Sequence, residues 1–362
     1  MKKILMVSDI LSGFGGTEAA IARTARLLER ECGAKTEVFL HGRSGSGDFD
    51  WLRDTKHTIW ATAVRNHKLQ QLLAAWALAR RIRQTRPDMV LAVTPVSCRI
   101  ARWGVGWSRL RLPLVSWMHT CVGYKKQYLL LADSHLAIST DIAEQFQALG
   151  ADAHDVHMVF NPVSASNMTI PRPERGAELV YVGRVNFRYQ KNLKELLDGC
   201  ARLVGDWRLH VVGDGQDAEI CKQYAESLGI APRVIWHGWQ RDPWRYVHDE
   251  IGCASCMVLC SMEEPFGLVL VEALARGVFC VSARCVGGPR DILRDGDNGM
   301  LYSPNDVAAL TVCLQRVVDG MDFPPAQYLK SSVSCFHDDK FVRNFYEKLM
   351  LAEQSYHQVE AK

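Results

Sequence analysis

Glu264 and Glu272 stand eight residues apart in Glu263-Glu264-Pro265-Phe266-Gly267-Leu268-Val269-Leu270-Val271-Glu272, the segment of this 362-residue chain that most invites a chemical reading. From about residue 266 onward it reads as the first turns of a buried helix, whose exposed backbone N–H groups around Phe266, Gly267 and Leu268 would suit phosphate or sugar oxygens. Eight helical steps cover about 12 Å, beyond the roughly 5 to 9.5 Å between the two carboxyl groups of a glycoside hydrolase. The two acids are therefore expected to hold different parts of one elongated ligand, accepting hydrogen bonds from sugar or ribose hydroxyls. Burying either acid without such partners would be costly.

Two cations and three glycine-bearing turns extend the set. Arg184, in Tyr181-Val182-Gly183-Arg184, and Lys191 flank one strand-to-helix loop. There they read as a diphosphate clamp, a planar fork beside a mobile point charge, or as a solvated surface pair. Ser12-Gly13-Phe14-Gly15-Gly16-Thr17-Glu18 follows a strand-like run and opens a helical one. Gly15 and Gly16 would let the backbone approach phosphate at a helix N-terminus, or simply make a tight turn. A dinucleotide fingerprint fits badly, because Glu18 stands where a small residue is needed and Leu40-His41 stands where a ribose-binding acid should end the second strand. Gly213, in Val211-Val212-Gly213-Asp214-Gly215, repeats the strand-glycine-helix arrangement and is open to the same two readings. His119 closes the apolar run Leu114 to Trp117 and reads as a group beside the reacting centre or as a structural histidine.

These residues need elements to position them, and the hydrophobic pattern supplies an alternation of strands and helices. Ile4 to Val7, Val38 to Leu40, Met89 to Val93, Leu114 to Trp117 and Leu136 to Ile138 read as strands, several of them separated by helical periodicity. A second series, at Leu179 to Val182, Leu209 to Val212, Val234 to His237, Met257 to Cys260, Phe279 to Ser282 and Met300 to Tyr302, restarts the pattern after Pro162. The fold class is thus α/β: two Rossmann-like doubly wound domains, 1–163 and 164–339, with a C-terminal helical stretch, 340–362, expected to cross back to the first. The carboxyl ends of such strands face a crevice, which places the expected active site between the domains.

Composition limits the function classes. The 48% hydrophobic and 23% charged content suits an ordinary globular protein, and no apolar run reaches the roughly 18 residues of a membrane span. Met1-Lys2-Lys3 before Ile4 to Val7 imitates a signal peptide, but Asp9 follows too soon, so a first strand is expected. The twelve cysteines, scattered among apolar neighbours, suggest free thiols and a cytoplasmic address, and Cys253 with Cys256 is a lone CxxC without the second pair a zinc site needs. Residues 1–163 carry 21 Lys+Arg against 14 Asp+Glu and the remainder 22 against 26, so the first half is suited to an anionic partner. Arg65, Lys68, Arg80, Arg81, Arg83 and Arg86, interleaved with Leu72, Leu73, Trp76 and Leu78, form a basic amphipathic pattern. It could rest on anionic lipid or phosphorylated oligosaccharide, or be an ordinary packed helix with a solvated basic side. No nucleic-acid motif accompanies it.

Taken together, Gly15-Gly16, His119, Gly183-Arg184, Lys191, Gly213-Asp214-Gly215 and Glu264 to Glu272 with Phe266-Gly267 inside resemble the retaining nucleotide-sugar glycosyltransferases of family 4, which have the GT-B architecture. The wording of SGFGGTE, FNPV, YVGR, LHVVGDG and GGPRDI is similar to the family's lipopolysaccharide-core 1,6-galactosyltransferase subgroup. The resemblance implies a UDP-hexose donor whose diphosphate is approached by Gly15 and Gly16 and gripped by Arg184 and Lys191. Glu272 would bind the ribose hydroxyls and Glu264 the transferred hexose. Phe266, Gly267, Leu268 and Val269 would position sugar and phosphate through their backbone, His119 would lie beside the reacting sugar, and Trp239 would border the uracil or be a core tryptophan. It further implies transfer with retention, no required cofactor, no metal site, and an acceptor in the lipopolysaccharide core at the inner face of a bacterial membrane. Asp291, where many relatives carry Glu, leaves the donor open between UDP-galactose, UDP-glucose and UDP-N-acetylglucosamine. From a different class, a sugar-nucleotide-binding protein without turnover fits the same residues.

Overall fold

The structure, a computed structural model, describes residues 1–11, 15–45, 48–121, 123 and 125–360. Ser12, Gly13 and Phe14 of the first glycine-rich segment lie outside them. The chain forms two compact units, one of Met1–Pro162 with Asp338–Lys362 and one of Val163–His337.

The first unit is built on strands β1 (Lys3–Asp9), β2 (Lys35–Arg43), β3 (His57–Thr62), β4 (Met89–Ala92), β5 (Leu114–Met118), β6 (Ser134–Ala137) and β7 (Val156–Met158). They form one parallel sheet in the order β3-β2-β1-β4-β5-β6-β7. Strands β1 and β4 read as apolar runs because helices cover both faces, and Ile4 to Val7 and Met89 to Ala92 are fully buried. β3 and β7 are additions to the strands expected from sequence. β3, His-Thr-Ile-Trp-Ala-Thr, lies at the sheet edge with every other residue exposed, and β7 has only three half-buried residues. Neither offers a continuous apolar run.

Helices α1 (Gly16–Cys32), α2 (His67–Thr85), α3 (Pro95–Ser108) and α4 (Thr140–Ala148) connect the strands. Their starts are written in the sequence: Asn66, Thr94 and Ser139 each accept backbone N–H bonds at the first turn of α2, α3 and α4. The C-terminal helix, Asp338–Glu360, belongs to this unit and packs on α1. Its buried stripe is Phe341, Val342, Phe345, Leu349 and Ala352. Arg23 of α1 holds Asp338 through two 2.6 Å bonds, and Lys2 reaches Glu353 at 2.6 Å.

The second unit repeats the plan with β8 (Ala177–Val182), β9 (Trp207–Val212), β10 (Val234–Gly238), β11 (Cys256–Leu259), β13 (Phe279–Ala283) and β15 (Gly299–Tyr302), ordered β10-β9-β8-β11-β13-β15. All its neighbours run parallel. Two-residue strands β12 (Glu263–Glu264) and β14 (Val286–Gly287) pair separately above it. Helices α5 (Leu193–Cys200), α6 (Ala218–Ser227), α7 (Pro243–Tyr246), α8 (Leu268–Leu274), α9 (Pro289–Ile292), α10 (Val307–Val318) and α11 (Ala326–Ser332) complete it. In each sheet the order reverses once, between β1 and β4 and between β8 and β11, and the carboxyl ends flanking such a reversal are where open α/β sheets receive ligands.

Candidate functional site

In the second unit the reversal point collects the charged residues. Gly183 and Arg184 leave the end of β8, while Ser261 and Glu264 leave the end of the adjacent β11. The loop after β8 then returns with Lys191 just before α5. Lys191 Nζ lies 2.5 Å from Glu264 Oε2, and Ser261 Oγ donates to the same oxygen at 3.0 Å. Both charged side chains are mostly enclosed, 17% exposed for Lys191 and 12% for Glu264. Arg184 is exposed, with its carbonyl held by the buried Tyr181 hydroxyl at 2.6 Å. Burial, reinforced by the Glu264 carboxylate, pushes that phenol well above its ordinary value. It therefore stays a proton donor to the loop.

Glu264 is not on the helix that carries Glu272, which corrects the expected helical spacing. Residues 263 and 264 are the short strand β12, Gly267 turns the chain in the left-handed region at φ 97°, and α8 begins only at Leu268. Pro265 and that turn break the helical period, so the 12 Å helical step does not apply. The amides of Leu268 and Val269 fall in the first turn of α8, which has no intrahelical acceptor for them. Phe266 is buried edge-on against Phe336, with centroids 5.5 Å apart, and so anchors the turn from below.

Two glycines that the sequence reading noted only within the GGPRDI motif, without a role, hold Glu264 in place. Gly287 of β14 pairs with Glu264, and a Cβ there would sit 1.9 Å from the Glu264 carbonyl oxygen. A Cβ on Gly288 would sit 2.1 Å from the Phe266 carbonyl oxygen, and Gly288 N donates to the Glu264 carbonyl at 2.9 Å. The signal in the sequence was the Gly-Gly pair itself, since adjacent glycines mark a close backbone approach. Gly213 has the same kind of reason, for its Cβ would meet the Gly183 carbonyl oxygen at 1.8 Å. Its place is thus explained by the packing of the β8 and β9 turns.

Glu272, on α8, accepts from Trp244 Nε1 at 2.9 Å. Trp239 is 55% exposed, which removes the reading of it as a core tryptophan. Of the lone CxxC, Cys253 is half-buried and Cys256 is buried in β11, both as free thiols.

In the first unit, Gly15 and Gly16 start α1 after β1, and a Cβ on Gly15 would meet the buried Glu18 carboxylate at 2.5 Å. His119 follows β5, two strands along from β1, or about 10 Å at ordinary strand spacing. It is 7% exposed, packs edge-on against Trp117 at 4.3 Å, and its Nε2 has no partner among the described residues. Burial pushes its pKa down to about 3, so at neutral pH the ring is an uncharged hydrogen-bonding group, not a cation.

Three more imidazoles of this unit are depressed by burial: His41, His135 at about 4, and His157, where Lys348 adds to the effect. Each stays neutral when folded and takes up a proton when unfolded. Their contribution to stability is complete above the ordinary value near 6.5 and drains away as pH falls toward the folded values, each costing up to about 1.4 kcal/mol per pH unit. Urea midpoints at pH 7.5, 6.5 and 5.5 should therefore fall steeply over the last interval, and less so in His119→Gln. A flat profile would contradict the burial of these rings.

Comparison with known proteins follows this division of the chain. Residues 14–167 match the model for Glycosyltransferase Family 4 and residues 168–324 the model for Glycosyl transferases group 1. A lipopolysaccharide 1,6-galactosyltransferase of Salmonella typhimurium is 35% identical over 348 residues, covering 95% of this chain and 97% of that protein. Its Escherichia coli counterpart is 35% identical over 354 residues, covering 97% and 98%. Among solved structures, the apo form of the lipopolysaccharide outer core galactosyltransferase WaaB superposes with a TM-score of 0.88 at 33% identity, covering 96% of this chain and 99% of that one.

Proposed function

The chain belongs to the family 4 glycosyltransferases and has their GT-B fold, and from that premise we propose that it transfers galactose from UDP-galactose to the lipopolysaccharide core with retention at the anomeric carbon. The observation that carries the substrate reading is the match to two 1,6-galactosyltransferases along nearly the whole of both chains. The second unit is the donor-binding one. Arg184, Lys191 and the first-turn amides of α8 receive the diphosphate, so the charge of the departing UDP is neutralised by protein, with no metal required. Glu264 receives a hydroxyl of the hexose and Glu272 those of the ribose, while Trp239 borders the uracil. His119, neutral and with no partner for Nε2 among the described residues, offers the sugar a hydrogen bond without adding charge.

A donor panel with lipopolysaccharide truncated before the galactose tests the reading, run with and without EDTA. Turnover with UDP-galactose well above UDP-glucose and UDP-N-acetylglucosamine, unchanged by the chelator, is the expected result. Turnover with UDP-glucose alone would reassign the donor. Saturable UDP-sugar binding with no turnover on any acceptor would favour a non-catalytic binding protein.

We also propose that the enzyme works at the cytoplasmic face of the membrane as a peripheral protein. No helix among the described residues is long and apolar enough to cross a bilayer. Helix α2, however, has two apolar sides. Gln71, Ala74, Ala75, Leu78, Ala79 and Ile82 are buried, whereas Leu69, Leu72, Leu73 and Trp76 form an exposed stripe at helical spacing, Trp76 being 56% exposed. Arg65, Lys68, Arg80, Arg83 and Arg86 are exposed around it, and α2 contains no acidic residue. Arg81 is instead occupied by Glu37 at 2.6 Å. Such a surface suits an anionic lipid interface. Sedimentation with phosphatidylglycerol vesicles should decline as salt rises and fall further in Trp76→Ala. Equal recovery with and without vesicles would remove the proposal.

A further inference from the structure

We infer that Trp244 is a positioning residue that sets the Glu272 carboxylate to receive the ribose hydroxyls of the nucleotide, an inference that rests on the nucleotide-sugar reading proposed above. Trp244 is 2% exposed and sits on α7, whose start is fixed by Pro243 and by the Asp242 carboxylate accepting from Arg245 N at 3.1 Å. An indole N–H can only donate, and this one donates to Glu272 Oε2 at 2.9 Å. Arg276 closes the arrangement from the other side. Its Nη1 donates to the Glu272 carbonyl at 2.9 Å, and its guanidinium carbon lies 5.7 Å from the centroid of the Trp244 ring.

Burial alone does not account for the Trp244 bond. Trp117 and Trp207 bury their Nε1 atoms with no partner among the described residues, so this chain tolerates enclosed indoles without an acceptor. At Trp244 the acceptor is the one carboxylate on α8, 28 residues away in sequence. A carboxylate offers about four acceptor directions, and the indole bond takes one of them, which orients the group for donors such as vicinal hydroxyls at the others. The same bond ties the segment after β10, which carries Trp239, to α8. The aromatic ring assigned to the base and the acid assigned to the ribose are thereby held in one register.

The test measures affinity for UDP and for 2′,3′-dideoxy-UDP, with donor KM and kcat, in wild type, Trp244→Phe, Glu272→Gln and the double variant. The ratio of the two affinities does not depend on the fraction of protein folded. Wild type should prefer UDP by at least about tenfold, the order of one charge-assisted hydrogen bond. Trp244→Phe should lower that preference toward the value for Glu272→Gln, with no further loss in the double variant, and should raise KM while kcat changes little. If Glu272→Gln loses the preference and Trp244→Phe keeps it, the positioning role is overturned. If Glu272→Gln itself keeps the preference, the ribose reading fails and the inference with it. Should Trp244→Phe not fold, indole N–H spectra of wild type and Glu272→Gln replace it. One indole signal shifted by the substitution and again by UDP supports the inference, and a UDP response confined to other indoles overturns it.

Discussion

Glu264→Ala should lower sugar transfer by about two to three orders of magnitude, the cost of removing one group aimed at the reacting centre, while UDP binds at least as tightly as before. The asymmetry follows from the 2.5 Å contact between Lys191 and Glu264. In this structure the carboxylate neutralises the ammonium that the proposed function assigns to the diphosphate. Deleting the acid removes a competitor for Lys191, so the phosphate side gains what the sugar side loses. Lys191→Ala should behave in the opposite way. It removes a charge-assisted partner worth about 1.5 to 3 kcal/mol to the diphosphate, weakening UDP by about ten- to a hundredfold, and leaves Glu264 largely enclosed without its cation. Calorimetric UDP titrations and steady-state transfer on both variants decide the matter. An equal loss of UDP affinity in the two would show that Glu264 and Lys191 do not compete in this way.

Gly287→Ala should destabilise the second unit by roughly 2 to 5 kcal/mol and abolish transfer, because overlap and backbone strain act together. The new Cβ would lie 1.9 Å from the Glu264 carbonyl oxygen and 2.6 Å from its carbon, at a residue with φ of 121°. Neither neighbour is the free end of a side chain that could swing aside. Relief requires separating β12 from β14, and that moves Glu264 itself. Gly106→Ala is the matched control, since its Cβ would meet nothing within 4 Å and it lies inside helix α3. Thermal unfolding and transfer assays on both should show a marked drop only for Gly287→Ala. Retention of melting temperature and activity in that variant would contradict the close approach.

The central strands of both sheets were legible because enclosure on two faces forces a run of adjacent apolar residues, as in Ile4 to Val7 and Met257 to Leu259. β3 was not, because an edge strand exposes alternate residues and its Thr58, Trp60 and Thr62 carry no such run. Glu264, Glu272, Lys191 and Arg184 could be chosen from residue type and loop position, but their contacts could not. The Lys191 to Glu264 pair spans 73 residues and the Trp244 to Glu272 bond spans 28, distances over which local pattern carries no information. The false helical spacing between the two acids arose because one Pro and one left-handed Gly end the period just where apolar content continues.

The helix Asp338–Glu360 completes the first unit although it follows the whole of the second unit in the chain. During synthesis, Val163–His337 can close its own sheet while the earlier portion still waits for Phe341 and Phe345 to fill the gap beside Trp117 and α1. The half translated first is thus finished second. A chain released just before Asp338 would carry a complete second unit beside an unsealed first one. Excising Asp338–Glu360 from a purified preparation should accordingly unravel Met1–Pro162 before it harms Val163–His337, the segment next to the cut.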